Sequence, residues 1–118
     1  MINVITTSRY KIHKQSLLKF AEKLLVESGV DFDMVLNIAF IGRRKMKEIA
    51  LLYKHENVAL PVLAFPYKET SSDIEKEKLF GEVVLCYPQV VLLAAERGKT
   101  LDDMINKLLA HGISNLLK

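Results

Sequence analysis

The chain has 118 residues, 50% of them hydrophobic and 26% charged, with a formal net charge of +3. That length fits one domain with one buried core, and no run of about 18 apolar residues is present to cross a membrane. One cysteine, Cys86, excludes an intrachain disulfide and fits a reducing cytoplasm. The mild positive charge is compatible with nucleic acid without pointing to it alone. The start, Met1 to Thr7, lacks the charged and apolar regions of a secretory signal.

The elements follow in chain order. Ile2 to Thr6, with its β-branched residues, reads as a strand. Ser8 to Ser28 reads as a helix, because Leu17, Leu18, Ala21, Leu24 and Leu25 recur at helical spacing while Lys14, Lys19, Glu22 and Lys23 face away. Gly29 is placed to end it. Met34 to Ile41 is a nearly continuous apolar run and predicts a strand buried on both faces. After Gly42, Arg43 to Tyr53 predicts a second helix with Met46, Ile49, Ala50 and Tyr53 inward.

Lys54 to Pro61 reads as a loop, and Val62 to Phe65 as a short strand closed by Pro66. The charged stretch Lys68 to Lys78, with Glu75 and Glu77, reads as a surface loop. Gly81 to Cys86 is the next strand. No helical pattern separates it from Val62–Phe65, so the two are expected to pair antiparallel in an otherwise mixed sheet. Pro88 to Arg97 predicts a third helix with proline in its first turn and Gly98 after its end. Thr100 then caps the last helix, with Asp103 at the third position. Its apolar face is Leu101, Met104, Ile105, Leu108, Leu109, Gly112 and Ile113. The whole, residues 1–118, is expected to be one α+β domain.

Few residues suit chemistry. His111 on the last helix is either an ordinary hydrogen-bonded histidine or a metal ligand, and a metal needs three or four ligands. A partner ligand is expected one turn later, at i+4. That position holds Asn115, and only Leu116, Leu117 and Lys118 remain. Gly112 beside it costs about 1 kcal/mol relative to alanine in a helix. Either close packing or room for a ligand accounts for it. Arg43, Arg44, Lys45, Lys47 and Lys54 form a basic cluster that is either a solvated helix face or a phosphate-contacting patch. Arg9, Lys11 and Lys14 form a smaller one. Tyr53, Phe65 and Tyr67 are the aromatics close enough in sequence to this region to stack on bases, with Phe65 assigned to the core. Cys86 follows an apolar strand and is expected to be buried and inert.

The segment Leu109-Ala110-His111-Gly112-Ile113-Ser114-Asn115-Leu116-Leu117 resembles the His-Gly-x-x-His-Leu-x-Gly-x-Asp-His signature of the YbeY family. Three further blocks agree in order. They are Leu36 to Ile41, then Tyr53-Lys54 with Val62-Leu63-Ala64-Phe65-Pro66, and finally Gly81 to Cys86. The family comprises metal-dependent endoribonucleases of bacterial ribosomal RNA maturation. The resemblance implies an α+β fold with a four-stranded mixed sheet and about four helices. It also implies an RNA-cleaving hydrolase in ribosome biogenesis, with ribosomal RNA or the small subunit as partner.

The same resemblance marks departures. The family's first metal histidine maps onto His111 and its second onto Asn115, a poor zinc ligand. No third follows within the chain. The family's RNA-contacting arginine maps onto Lys54, which keeps the charge but loses bidentate phosphate geometry. Polar residues of the central block map onto Leu60, Pro61 and Ala64. Zinc is therefore the family's cofactor but is not expected here, and His111 is expected to be a weak ligand or none. Two functions follow: a reduced endoribonuclease using His111 and Lys54, or a catalytically inactive RNA- or ribosome-binding module using the basic helix. The end Ile113-Leu116-Leu117 offers an apolar surface for a homodimer.

Overall fold

In the computed structural model, residues 1–31, 33–67 and 78–118 are described. Their elements run β1 (Ile2–Ile5), α1 (Lys14–Glu27), β2 (Met34–Ile41), α2 (Arg43–Lys54), β3 (Val62–Pro66), β4 (Lys78–Cys86), α3 (Tyr87–Glu96) and α4 (Leu101–Leu116). The sheet order is β1-β2-β4-β3. β1 and β4 both pair parallel with β2, while β3 pairs antiparallel with β4, Leu63 opposite Val84. This is the α+β fold with a four-stranded mixed sheet, including the single antiparallel pairing expected from the short connection.

Alternation along the strands sends side chains to two faces. On one face Leu36, Ile38, Phe40, Val83 and Leu85 meet Leu17, Ala21 and Leu25 of α1, Val90 and Ala94 of α3, and Met104, Leu109 and Ile113 of α4. On the other, Ala39, Leu63, Val84 and Cys86 meet Met46 and Ala50 of α2. β2 is thus covered from both sides, as its unbroken apolar run requires.

Local signals set the helix ends. Gly29 adopts φ +75° and Gly98 φ +62°, a region that glycine enters without a Cβ penalty. Val30 N–H donates to Leu25 C=O and Lys99 N–H to Ala94 C=O, which closes a Schellman motif at the end of α1 and of α3. Thr100 Oγ1 accepts from Asp103 N–H at 3.1 Å and caps α4.

Three expectations need correction. α1 starts at Lys14, not Ser8. The preceding residues are held by tertiary contacts instead: the Tyr10 ring stacks on Tyr87 at 4.4 Å, and Lys11 N–H donates to the Tyr87 hydroxyl. β4 starts at Lys78, three residues early, because pairing with Met34 and Val35 extends it across a bulge at Phe80. The loop assigned to residues 68–78 otherwise lies outside the described residues. Tyr53 is 60% exposed rather than inward. Its ring meets that of Phe65 in a T-shaped contact, centroids 5.0 Å apart.

The C-terminal end also differs. Ile113 and Leu116 are 2% and 8% exposed, because α4 lies over the sheet. Leu116 covers Gly81 so closely that a Cβ there would sit 2.7 Å from it. Only Leu117 of that trio faces solvent, so the apolar surface imagined for a homodimer is already used within the chain.

Candidate functional site

α4 carries His111 and Asn115 outward because the opposite stripe, Leu109, Gly112, Ile113 and Leu116, is buried. Gly112 lets the helix approach the sheet: a Cβ at this position would lie 2.8 Å from Val83 Cγ1. Close packing therefore accounts for the glycine. It also brings His111 and Asn115 beside β3. The two are one turn apart, and Asn115 Nδ2 stands 3.4 Å from His111 Nε2. This is a long, weak hydrogen bond in which the amide donates to the unprotonated ring nitrogen.

A cleft of about 540 Å³ opens here, lined by Lys54, Glu56, Leu60, Val62, Leu63, Ala64, His111, Gly112, Asn115 and Lys118. His111 and Lys54, far apart in sequence, share it. α2 ends at Lys54 because His55 turns into the left-handed region at φ 58°, which directs Lys54 and Glu56 toward β3. Sequence reasoning missed Glu56 and Lys118 as lining residues. Their only sequence signal is adjacency to Lys54 and to the His111 helix.

Arg43, Arg44 and Lys47 lie elsewhere, in a shallow groove of about 360 Å³ with Glu48, Leu51 and Asn57. At about 100° per residue, Arg43, Lys47 and Lys54 fall on one stripe of α2, so the groove and the cleft belong to one basic edge of the helix. Lys45 is exposed but points away from that stripe, on the opposite flank. The cluster read as one patch is thus four residues on one side and one on the other.

Cys86 is fully buried. Burial pushes its thiol above the ordinary value, outweighing the backbone hydrogen bond from Gln89 and the Arg43 charge. It is a protonated core residue, not a nucleophile. Away from the cleft, the Tyr67 hydroxyl donates to Glu82 Oε2 at 3.0 Å and Asn3 Nδ2 to Asn37 Oδ1 at 3.0 Å. These residues form a polar row on the sheet face that α2 leaves open. Asn37 within its apolar run was the one sequence hint of it.

The donors in the cleft do not suit zinc. Imidazole, thiolate and carboxylate are its ligands, and among the described residues no group of three His, Cys, Asp or Glu is placed to hold a metal ion. In the cleft, two ammonium groups and an amide accompany one imidazole and one carboxylate. That set favours an anion.

The sequence model described as Endoribonuclease YbeY matches residues 3–117. A protein of Sulfurihydrogenibium sp. named Endoribonuclease YbeY is 31% identical over 91% of this chain and 68% of its own length. Proteins of the same name from Thermodesulfovibrio yellowstonii and Azoarcus sp. are 31% and 35% identical over 71% and 76% of this chain. The chain spans 52% and 36% of those two relatives. A Thermotoga maritima protein solved in solution superposes with a TM-score of 0.56 at 18% identity, covering 100% of this chain and 73% of that one, and shows the same fold. With the family match running nearly end to end, the chain belongs to the YbeY family.

Proposed function

We propose that this protein acts on small-subunit ribosomal RNA in the cytoplasm as a reduced YbeY-type endoribonuclease that works without zinc. One observation carries the proposal: Lys54 and His111 converge in a single cleft, continuous with a basic helix edge. Arg43, Arg44 and Lys47 neutralise backbone phosphates and supply affinity that is independent of sequence and sensitive to salt. Lys45, on the far flank, adds only long-range attraction. Among the described residues no helix is long and apolar enough to cross a membrane.

RNA brings its own nucleophile. His111 removes the proton of a 2′-hydroxyl, whose oxygen attacks the adjacent phosphorus. The P–O5′ bond breaks, leaving a 2′,3′-cyclic phosphate, and the proton returns to the departing 5′-oxygen. Lys54 stabilises the negative charge that grows on the phosphoryl oxygens. Asn115 holds the ring of His111 through its amide and must release Nε2 for the nitrogen to act as base.

The test is cleavage of a ribosomal RNA fragment with and without a chelator, beside His111→Ala. Cleavage that survives the chelator and is lost in His111→Ala is the expected result. Loss with the chelator would restore a metal to the reaction and overturn the proposal. A second reading is favoured by the Asn115 amide engaging His111: a module that binds RNA and does not cut it. Intact RNA with retained salt-sensitive binding would select that reading.

A further inference from the structure

The three parallel strands β1, β2 and β4 end at the same side of the sheet, where α2 and α3 leave for opposite faces. Ligands of open α/β sheets gather at such a point. The chain between β1 and α1 also lies there, and contacts fix it in place. Tyr10 N–H donates to Thr7 C=O at 3.2 Å, so Arg9 stands at the corner of a turn. The Tyr10 ring stacks on Tyr87 at 4.4 Å, and Lys11 N–H donates to the Tyr87 hydroxyl at 3.2 Å. The Tyr10 hydroxyl stands 3.4 Å from where a Cβ of Gly42 would be, one residue before Arg43. Tyr10 is half-buried, while its neighbours Arg9 and Lys11 are exposed.

We propose that Arg9 and Lys11 extend the basic edge of α2, and that the edge as a whole takes one strand of RNA rather than a duplex. The inference rests on the RNA reading and deepens it. Lys54, Lys47 and Arg43 form a single file along the helix. At 1.5 Å per residue, the span of α2 puts about 16 Å between Arg43 and Lys54. A stacked strand rises about 3.4 Å per nucleotide, so this file meets about five phosphates. Beyond Arg43, Arg9 and Lys11 carry the same strand past the end of the helix.

One file of cations tracks one backbone, whereas a duplex presents two. The next stripe outward on α2 has Arg44 at its start but Glu48 and Leu51 along its length, which offers little to a second backbone. Lys14 is left off the path. It follows His13, which turns away to Asp102 on α4 at 2.6 Å.

The test is fluorescence anisotropy of labelled 2′-O-methyl oligoadenylates with the 118-residue chain. These strands stack without pairing, and the blocked 2′-hydroxyl separates binding from cleavage. At 3.4 Å per nucleotide, a strand of about six covers α2 and one of about twelve reaches Arg9 and Lys11. Arg9→Gln/Lys11→Gln is expected to leave the short strand unaffected. For the long strand it should lower the salt slope by about 1.4, at about 0.7 for each phosphate contact on a single strand. Over a fourfold rise in salt, the variant then loses about sevenfold less affinity than the native chain. Lys19→Gln/Lys23→Gln removes the same charge from exposed positions elsewhere on α1 and should change neither strand.

An unchanged slope for Arg9→Gln/Lys11→Gln on the long strand would overturn the inference and leave the RNA reading standing. An equal fall in Lys19→Gln/Lys23→Gln would do the same, since net charge rather than contact would then be at work. A duplex of equal length bound as tightly as the single strand would overturn it too. So would polyglutamate that displaces the long strand as readily as unlabelled strand of equal charge, which would assign the edge to an acidic protein. Binding of neither strand would overturn the inference together with the RNA reading.

Discussion

Gly112→Ala tests whether the cleft depends on close approach of α4 to the sheet. The new Cβ would sit 2.8 Å from Val83 Cγ1 and 3.1 Å from Cγ2, where ordinary contact begins at 3.4 Å. Val83 is fully buried, and a β-branched side chain has little rotameric freedom with which to yield. The helix must therefore lift by several tenths of an ångström. Overpacking of this kind costs about 1–3 kcal/mol, while replacing a mid-helix glycine by alanine returns about 1 kcal/mol. The expected net loss is about 1 kcal/mol, a melting temperature lower by about 4–8 °C. The sign should reverse in a Val83→Ala background, where two methyl groups have been removed and the same substitution fills their space. Chemical denaturation of the four proteins of this cycle gives the coupling, expected at about 2 kcal/mol in favour of the double variant. Gly112→Ala that stabilises the otherwise unaltered chain would refute the reasoning. The glycine would then serve something other than packing.

Thr100→Ala removes the hydroxyl that accepts from Asp103 N–H. It should cost about 1 kcal/mol by the same denaturation assay, the usual loss for an N-cap. Cys86 should resist a thiol reagent at neutral pH until the chain unfolds, since burial both shields the thiol and raises its pKa. Labelling at the rate of an exposed cysteine would place it elsewhere. Tyr67 is held neutral mainly by burial, then by its hydrogen bond to Glu82. Its folded pKa is raised, so its contribution to stability is present below the ordinary tyrosine value of about 10 and is lost as pH rises through the folded value. Ultraviolet titration should show one tyrosine ionising late, absent in Tyr67→Phe, and the variant's stability should fall less steeply at high pH.

Features written into neighbouring residues were legible in the sequence. Gly29, Gly98 and Thr100 mark helix ends through backbone chemistry that needs no distant partner, and the apolar run of Met34–Ile41 gave β2 its bounds. Features made by contacts between distant segments were not. Ser8 has the appearance of a helix start, but residues 8–10 make only a turn, Tyr10 N–H donating to Thr7 C=O, and stacking of Tyr10 on Tyr87 ties them to α3 ahead of the helix. His13 then donates to Asp102 at 2.6 Å, which ties the starts of α1 and α4. Lys78 and Leu79 carry no clear strand pattern and join β4 through the partner they meet in β2. For the cleft, His111, Asn115 and Lys54 were visible through the family's motif. Glu56 and Lys118 were not, because an exposed charge shows its neighbours only after the sheet has formed. The burial of Leu116 was equally hidden, since it depends on Gly81 in another element.

The central claim, that the His111–Asn115 cleft takes phosphate rather than a metal, is tested most directly by calorimetric titration of the 118-residue chain with zinc. The expected result is no tight one-to-one binding and no difference between the native chain and His111→Ala. A tight one-to-one site that disappears in His111→Ala would contradict it and return zinc to this cleft.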